Sequence, residues 1–257
     1  MTNPSLEYAN RDVYSNQEID DMIKAAEKLK IEYYQLRAKC LIAIAKKFGK
    51  RRIEIARLKL SDIEKVDTDL QFKFTIAKKH KKGLFQYIKE IEKLIKKGEA
   101  KPDLLNKSYQ ELKPDWRRWQ ETELGHRYKT DTALQSISFD DKYTSYILNY
   151  INYLSTTYPN VTYLFPSGVE LFGSGEYIIK NYEIHLSGSQ LLRIIKPLSP
   201  TGWMHLFRET KGAEVAKRFG RTITAVSEVR ETLDLEEEST AYRYVRRYAA
   251  KKQETET

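Results

Sequence analysis

The first third of the chain changes from a helical pattern to a strand pattern. Apolar side chains recur at helical spacing over residues 31–48, and Gly49 then ends the pattern as a C-cap glycine does. Residues 72–76 instead alternate apolar and polar side chains, which is typical of a half-buried strand. Ser15 and Glu18 predict a capped helix start before the helical pattern of residues 19–29. Further helical patterns cover residues 51–58, 84–97 and 143–154. The sequence therefore predicts a mostly α-helical chain with at least one strand.

The charge balance favours a polyanionic partner. The 257 residues include 45 Lys and Arg against 36 Asp and Glu, which gives a net charge of +9. Such an excess suits nucleic acid, although basic proteins need not bind it. The length allows one large domain or two small ones.

Cysteine and hydropathy usage exclude several classes of protein. Cys40 is the only cysteine, so neither an intramolecular disulfide framework nor a cysteine-rich zinc site can form. No apolar run approaches the roughly 20 residues of a membrane span, and residues 1–5 lack the features of a signal peptide. We expect a protein of the cytoplasm, or of the host cytoplasm if it is viral, with no metal, cofactor or membrane partner.

The residues best suited to bind and attack a phosphate lie near the C-terminus. His205 and Arg208 are three positions apart, so on a helix both side chains reach the same anion. Tyr242 and Tyr244 follow one helix length later, and either could supply a hydroxyl nucleophile. The alternative interpretation of these residues alone is a chance spacing followed by a solvated amphipathic helix.

Residues 49–63 resemble the first conserved box of the tyrosine recombinases, the phage-integrase and Xer-like DNA strand-exchange enzymes. In that box a turn glycine precedes an active-site arginine, a glutamate follows three positions later, and Ser-Asp-Ile leads into a β-hairpin. Gly49, Arg51, Glu54 and residues 61–63 match these positions. The resemblance therefore implies that Arg51 is the active-site arginine.

The later boxes of the same family occur in the family's order. Residues 163–166 are similar to the Leu-Phe-Pro segment that ends the helix after the hairpin, and residues 186–195 are similar to the helix before the second box. The residues from His205 to Arg208 match the family's His-x-x-Arg. Together the boxes extend over roughly residues 30–250.

The tyrosine box of the family runs Leu-Gly-His, then Thr-Thr, two residues and the nucleophilic tyrosine. Here the register selects Tyr244, nine residues after Leu235, with Tyr242 as its rival. Leu235 replaces the family's third histidine and Asp234 lies beside it, so one phosphate donor is missing or supplied elsewhere. The family's N-terminal DNA-clamping domain is expected to be absent, because only 50 residues precede Arg51.

The hairpin lysine of the family has more than one match. The sequence around Lys129 is similar to the family's Lys-Thr turn, second strand and following helix, and Lys78 and Lys79 directly follow the first strand. We select Lys129 and keep Lys78 and Lys79 as alternates. Residues 80–125 then form an insertion in the hairpin, which includes a tryptophan-rich cluster, residues 116–119, that either stacks on DNA or anchors the inserted helix.

The resemblance implies a mostly α-helical α+β fold with a small antiparallel sheet. It also implies a single catalytic domain, residues 1–257, of a site-specific recombinase or integrase of a mobile element. Such an enzyme cleaves and rejoins double-stranded DNA through a 3′-phosphotyrosine intermediate, without a cofactor, as a homo-tetramer on two duplexes. The implied catalytic residues are Arg51, Lys129, His205, Arg208 and Tyr244. The alternatives are a degenerate DNA-binding relative without activity and a type IB topoisomerase-like enzyme that relaxes one duplex.

Overall fold

The computed structural model describes residues 13–81, 84–119, 126–167, 169–171, 177–179, 183–199, 201–235 and 237–250. Most of them are helical. The α-helices of this part of the chain are α1 (Asn16–Glu27), α2 (Glu32–Phe48), α3 (Arg52–Ala56), α4 (Leu84–Lys96), α5 (Tyr109–Trp119), α6 (Lys142–Thr157), α7 (Gly188–Ile195), α8 (His205–Phe219), α9 (Ile223–Thr232) and α10 (Glu238–Ala250). The strands are β1 (Ile63–Val66), β2 (Asp69–Lys81), β3 (His126–Ser138), β4 (Val169–Leu171) and β5 (Tyr177–Ile179).

The first three strands form one small sheet in the order β1-β2-β3. β1 and β2 are antiparallel, with Ile63 opposite Phe72 and Val66 opposite Asp69. Phe72 and Phe74 are buried and pack against Phe48 of α2, at ring-centroid distances of 4.8 and 5.3 Å. The predicted mostly helical α+β fold with a small antiparallel sheet is therefore confirmed.

Local signals set the ends of the first helices. The Ser15 hydroxyl accepts from the backbone N–H of Glu18, whose carboxylate accepts from the backbone N–H of Ser15 at 2.8 Å, so a capping box starts α1. Gly49 ends α2 in the left-handed region, with φ of 58°. Both ends lie where the sequence places them.

Two boundaries differ from the sequence-based expectation. β3 already begins at His126, so Lys129 and Thr130 lie within the strand and not in a turn before it. α6 ends at Thr157, and residues 163–166 follow it in an irregular connection with bends, in which Pro166 bridges to His185. The reason is that strand pairing and the bridge satisfy backbone groups at these positions, which side-chain patterns do not report.

The chain divides into two compact units. One comprises residues 1–75 and 132–257, and the other comprises residues 76–131, which the chain enters along β2 and leaves along β3. In the second unit, Trp119 of α5 packs against Tyr87 of α4 with ring centroids 5.2 Å apart. This contact gives Trp119 a packing role within its own unit.

The first unit holds two apolar clusters. In the larger cluster α2 packs against α1, α6 and α8. In the smaller one α8, α9 and α10 pack against each other through residues such as Ala213, Val226, Val229 and Val245. The smaller cluster fixes α10 against α8, the two helices that carry the C-terminal candidate residues. In the described part of the chain, no helix has the length and apolar character needed to cross a membrane.

Candidate active site

Arg51 lies at the N-cap position of α3, where Glu54 holds it from two sides. The buried Glu54 carboxylate accepts from the Arg51 backbone N–H and from its Nη1, both at 2.8 Å. The Arg51 side chain remains 38% exposed. A guanidinium has five N–H donors, so this ion pair orients Arg51 and leaves donors for an anion.

Arg208 is buried in α8 and is held by two backbone carbonyls. Its Nη1 donates to the carbonyl of Gly49 at 2.9 Å, and its Nη2 donates to the carbonyl of Leu233. Burial lowers the pKa of the Arg208 guanidinium, and the positive charge of Arg51 lowers it further. Because arginine is not deprotonated in proteins, two adjacent cations result, an arrangement that an anion would stabilise.

Gly49 is required at the end of α2 for two reasons. Its φ of 58° lies in the left-handed region, which favours glycine. A Cβ atom there would also lie 2.7 Å from Cβ of Lys211 and 3.1 Å from a methyl carbon of Leu233. The close contact brings α2 against α8 and places the Gly49 carbonyl within reach of Arg208.

A buried ion pair supports the other carbonyl that binds Arg208. The ammonium group of Lys50, which is fully buried, pairs with the carboxylate of Asp234. Burial lowers the pKa of Lys50, and the Asp234 charge counteracts the shift. Asp234 has a φ of 47° and occupies the position where the resembled box carries glycine. The pair therefore stabilises a left-handed residue next to Leu233.

Tyr244 of α10 faces α8. Its hydroxyl donates to Oε1 of Glu209 at 2.9 Å. Burial raises the pKa of Tyr244, the Glu209 carboxylate raises it further, and the positive charge of Arg208 acts in the opposite direction. Tyr242, the rival in the sequence register, is 53% exposed on the same helix. Of the two tyrosines, Tyr244 is the one directed at the charged residues of α8.

Gly212 gives the Tyr244 ring its position on α8. A Cβ atom at Gly212 would lie 2.5 and 2.6 Å from two carbon atoms of that ring, and 3.0 Å from a methyl carbon of Leu233. Only a glycine lets the ring contact the helix backbone so closely. The register between α8 and α10 therefore depends on Gly212.

We expect Gly212→Ala to destabilise the protein by about 1–3 kcal/mol, because overpacking forces the Tyr244 ring away. In an open helix interior the same change would stabilise by up to about 1 kcal/mol. Urea unfolding of the variant alone and in a Tyr244→Ala background measures the difference. With the ring removed, most of the cost should vanish; an equal cost in both backgrounds would place the clash elsewhere.

His205 is the first residue of α8 and is largely exposed. Its side chain is 68% exposed, and its Nε2 lies 3.1 Å from Oε1 of Glu209. The same carboxylate oxygen thus meets both His205 and Tyr244. One imidazole nitrogen is occupied by this contact, and Nδ1 is the nitrogen that His205 can offer to another group.

A cleft of about 840 Å³ opens beside these residues. Arg51, His205 and Arg208 line it, together with Lys50 and Arg52. No Asp or Glu is among the described residues that line the cleft. A concave site with cationic walls and no lining carboxylate is suited to an anion such as a phosphodiester.

Lys129 is not brought to this cleft by any described contact. Its backbone lies in β3, and the backbones of the alternates Lys78 and Lys79 lie in β2. The side chains of all three lie outside the part of the structure that is described. Arg51, His205 and Arg208 therefore meet at one cleft, Tyr244 joins them through Glu209, and the hairpin lysine stays a prediction.

Two crystal structures of XerH site-specific recombinase have a similar fold. One is the pre-cleavage complex with the difH substrate, with a TM-score of 0.52 and 13% sequence identity over 91% of this chain and 50% of that one. The other is the post-cleavage complex with a palindromic difH substrate, with a TM-score of 0.53 and 13% identity over 95% of this chain and 52% of that one. This chain therefore shares the fold of these two recombinase structures.

The similarity to that recombinase fold is structural. No family model matches the sequence, and no curated protein matches it. The chain spans about half the length of the XerH chains.

Sequence analysis missed the residues that connect the candidate groups. Glu209 is four positions after His205, a spacing that places both on one helix face and was available as a signal. The partnership of Glu209 with Tyr244 and that of Lys50 with Asp234 join residues 35 and 184 positions apart. Such contacts follow from packing and leave no local pattern.

Proposed function

We propose that this chain is a site-specific DNA recombinase that cleaves and rejoins strands through a covalent link between Tyr244 and a DNA 3′-phosphate. The observation that carries the proposal is the cationic cleft, where Arg51, His205 and Arg208 meet and where the described lining residues include no carboxylate. Tyr244 packs on the helix that carries two of these residues. The proposed nucleophile and the proposed phosphate-binding residues therefore lie on elements that pack together, which supports the proposal.

The residues can divide the work of phosphoryl transfer among them. As the Tyr244 oxygen attacks phosphorus, negative charge grows on the two non-bridging oxygens. Arg51 and Arg208 would donate charge-assisted hydrogen bonds to those oxygens from positions that Glu54 and two backbone carbonyls fix in advance. His205 would add a donor through Nδ1. Preorganised donors lower the barrier without reorganising during the reaction.

The covalent link conserves the energy of the broken bond. The 5′-oxygen leaves with a proton, a role that we assign to Lys129 with Lys78 and Lys79 as alternates. A 5′-hydroxyl from a second duplex can then attack the phosphotyrosine and release Tyr244. Strand exchange without ATP results, and a mobile element could be integrated or excised by this route.

Double-stranded DNA is the proposed partner. The net charge of +9 favours phosphate contacts, which release counterions on binding. The XerH structures are complexes of that recombinase with its difH substrate. Exchange between two duplexes requires four strand cleavages, so we propose a homo-tetramer on two duplexes as the active form.

A nicked suicide substrate tests the proposed function. When a nick lies a few nucleotides to the 3′ side of the scissile phosphate, the short fragment that leaves with the free 5′-hydroxyl diffuses away after cleavage, and the covalent intermediate accumulates. A pool of nicked duplexes of random sequence serves while the target is undetermined. We expect a protein–DNA adduct on a denaturing gel; its complete absence would favour the binding-only alternative. Joining of the captured strand to a second duplex distinguishes recombination from relaxation of one duplex.

Lys129 should act on the leaving oxygen. We expect Lys129→Ala to slow cleavage of ordinary DNA by about 10²–10⁴, the range for loss of a general acid. In a substrate with a bridging 5′-sulfur, the sulfur leaves as a stable thiolate that needs no proton. Lys129→Ala should therefore cleave this substrate at close to the wild-type rate. Single-turnover cleavage of both substrates gives the comparison.

The alternates supply the control for this experiment. Lys78→Ala and Lys79→Ala should slow both substrates alike if these lysines only bind phosphate. Selective rescue of either of them by sulfur, with none for Lys129→Ala, would move the general acid to β2.

A further inference from the structure

Glu209 lies between the two candidate groups whose protons matter most for the proposed reaction. A single oxygen, Oε1, accepts from the Tyr244 hydroxyl at 2.9 Å and lies 3.1 Å from Nε2 of His205. The Glu209 side chain is only 20% exposed. It directly follows Arg208 in α8, so the carboxylate and the phosphate-binding guanidinium belong to consecutive residues.

We propose that Glu209 is a catalytic residue, the general base that takes the proton of Tyr244 during DNA cleavage. The inference rests on the proposed function, because it needs Tyr244 to be the nucleophile. The distance of 2.9 Å lies within the range required for direct proton transfer. In the described part of the chain, Glu209 is the carboxylate hydrogen-bonded to this hydroxyl.

Each step balances. As the bond from the Tyr244 oxygen to phosphorus forms and the bond from phosphorus to the 5′-oxygen breaks, the phenolic proton passes to Oε1 of Glu209. The leaving 5′-oxygen takes a different proton, from the hairpin lysine. On rejoining, the incoming 5′-hydroxyl returns a proton to that lysine, and Glu209 returns its proton to the departing tyrosine oxygen. No oxidant or metal takes part in this exchange.

The resting site keeps the proton on the tyrosine. Burial raises the pKa of Tyr244, and the neighbouring carboxylate raises it further. Burial would also raise the pKa of Glu209, but hydrogen bonds from His205 and Tyr244, with the charge of Arg247, outweigh it and leave that pKa below its ordinary value. The proton therefore moves only when the phenolic oxygen begins to bond to phosphorus, because that bond makes the oxygen a far weaker base.

His205 then has a positioning role as well as a role toward phosphate. When both ring nitrogens carry a proton, Nε2 donates to Oε1 of Glu209 and holds the carboxylate toward Tyr244, and Nδ1 can still donate to phosphate. The spacing of one helical turn between His205 and Glu209 makes this contact local and therefore robust. A His–Glu–Tyr chain of hydrogen bonds results, with its reactive end at the nucleophile.

The alternative is that the same contact acts as a lock: the Glu209 carboxylate holds the proton on Tyr244 and thereby slows its attack. The two effects differ in sign, so one substitution separates them. Glu209→Gln keeps the size of the side chain and an oxygen that accepts from Tyr244, but the amide does not take up the proton. A general base predicts slower cleavage in this variant, and a lock predicts faster cleavage.

We expect Glu209→Gln to slow formation of the covalent adduct by about 10²–10⁴ in single-turnover assays, with DNA binding unchanged. The bridging 5′-sulfur substrate should not rescue it, since sulfur replaces the acid and not the base. The rate of the variant should rise with pH, because the tyrosine must then lose its proton to solvent. Glu231→Gln, an exposed carboxylate on the neighbouring helix α9, should behave as wild type.

The outcomes separate this inference from the proposed function. Absence of an adduct with the wild-type protein would overturn both. If wild type forms the adduct and Glu209→Gln forms it at a rate within about threefold of wild type, the role of Glu209 alone would be overturned. A variant that forms the adduct clearly faster than wild type would identify a lock. If Glu209→Gln fails to fold, Glu209→Asp is the deciding variant. Because aspartate is a shorter base, it should cleave more slowly than wild type, and equally so with the ordinary and the bridging-sulfur substrate. A wild-type or faster rate would overturn the role of Glu209 as the base.

Discussion

We expect Tyr244→Phe to abolish covalent attachment to DNA and to leave DNA binding intact. The substitution removes one oxygen atom, the proposed nucleophile, and keeps the ring that packs on Gly212. Glu209 loses one hydrogen-bond donor and retains His205 as a partner, so the fold should survive. Denaturing gels with the nicked substrate measure the adduct, and gel shifts measure binding.

Tyr242→Phe is the matched control for this result. Tyr242 is two positions away on α10, and its side chain is 53% exposed. It should form the adduct at the wild-type rate. If Tyr242→Phe removed the adduct while Tyr244→Phe kept it, the register of the tyrosine box would be wrong by two residues.

The second large effect is expected from the two arginines. Loss of a preorganised donor to a developing oxyanion costs about 10²–10³ in rate in comparable sites, and we expect at least that from Arg51→Ala and from Arg208→Lys. Lysine at position 208 keeps the charge but not the planar guanidinium that donates to two carbonyls and that we propose also binds the phosphate. Single-turnover cleavage of the nicked substrate measures both.

Folding must be separated from chemistry in this pair. The buried Arg208 satisfies the carbonyls of Gly49 and Leu233, so its replacement should also cost about 1–3 kcal/mol of stability. Arg51 is partly exposed and should affect the rate with little loss of stability. Arg57→Ala, a change to another arginine just after α3, is the control. A rate within about tenfold of wild type for either site variant would remove that arginine from the active site.

The sequence predicted the parts of the fold that local chemistry determines. The Ser15 capping box, the left-handed Gly49 and the alternation that buries Phe72 and Phe74 each depend on a few neighbouring residues. The order of hairpin, helices and C-terminal tyrosine helix was predicted from the resemblance to tyrosine recombinases. The similarity of the whole fold to XerH, at 13% identity, agrees with that order.

What the sequence did not predict depends on contacts between distant segments. The start of β3 at His126 follows from strand pairing, for which the side-chain pattern before residue 133 gives no signal. Glu209 was not predicted because its hydrogen bond with Tyr244 depends on the packing of α10 against α8, which no local pattern reveals. The sequence analysis noted only that Asp234 lies beside Leu235, and its buried partner Lys50 explains how a charged residue is accommodated there.

The hydrogen bond from Arg208 to the Leu233 carbonyl links two parts that sequence boxes treat as separate. Leu233 ends α9, and the short connection after it leads into α10, which carries Tyr244. A displacement of α10 that pulls on this connection would draw an acceptor away from the arginine as it withdraws the tyrosine. The positions of Tyr244 and Arg208 are therefore mechanically coupled, so a conformation in which Arg208 keeps both carbonyl partners while Tyr244 has left α8 is unfavourable in this fold.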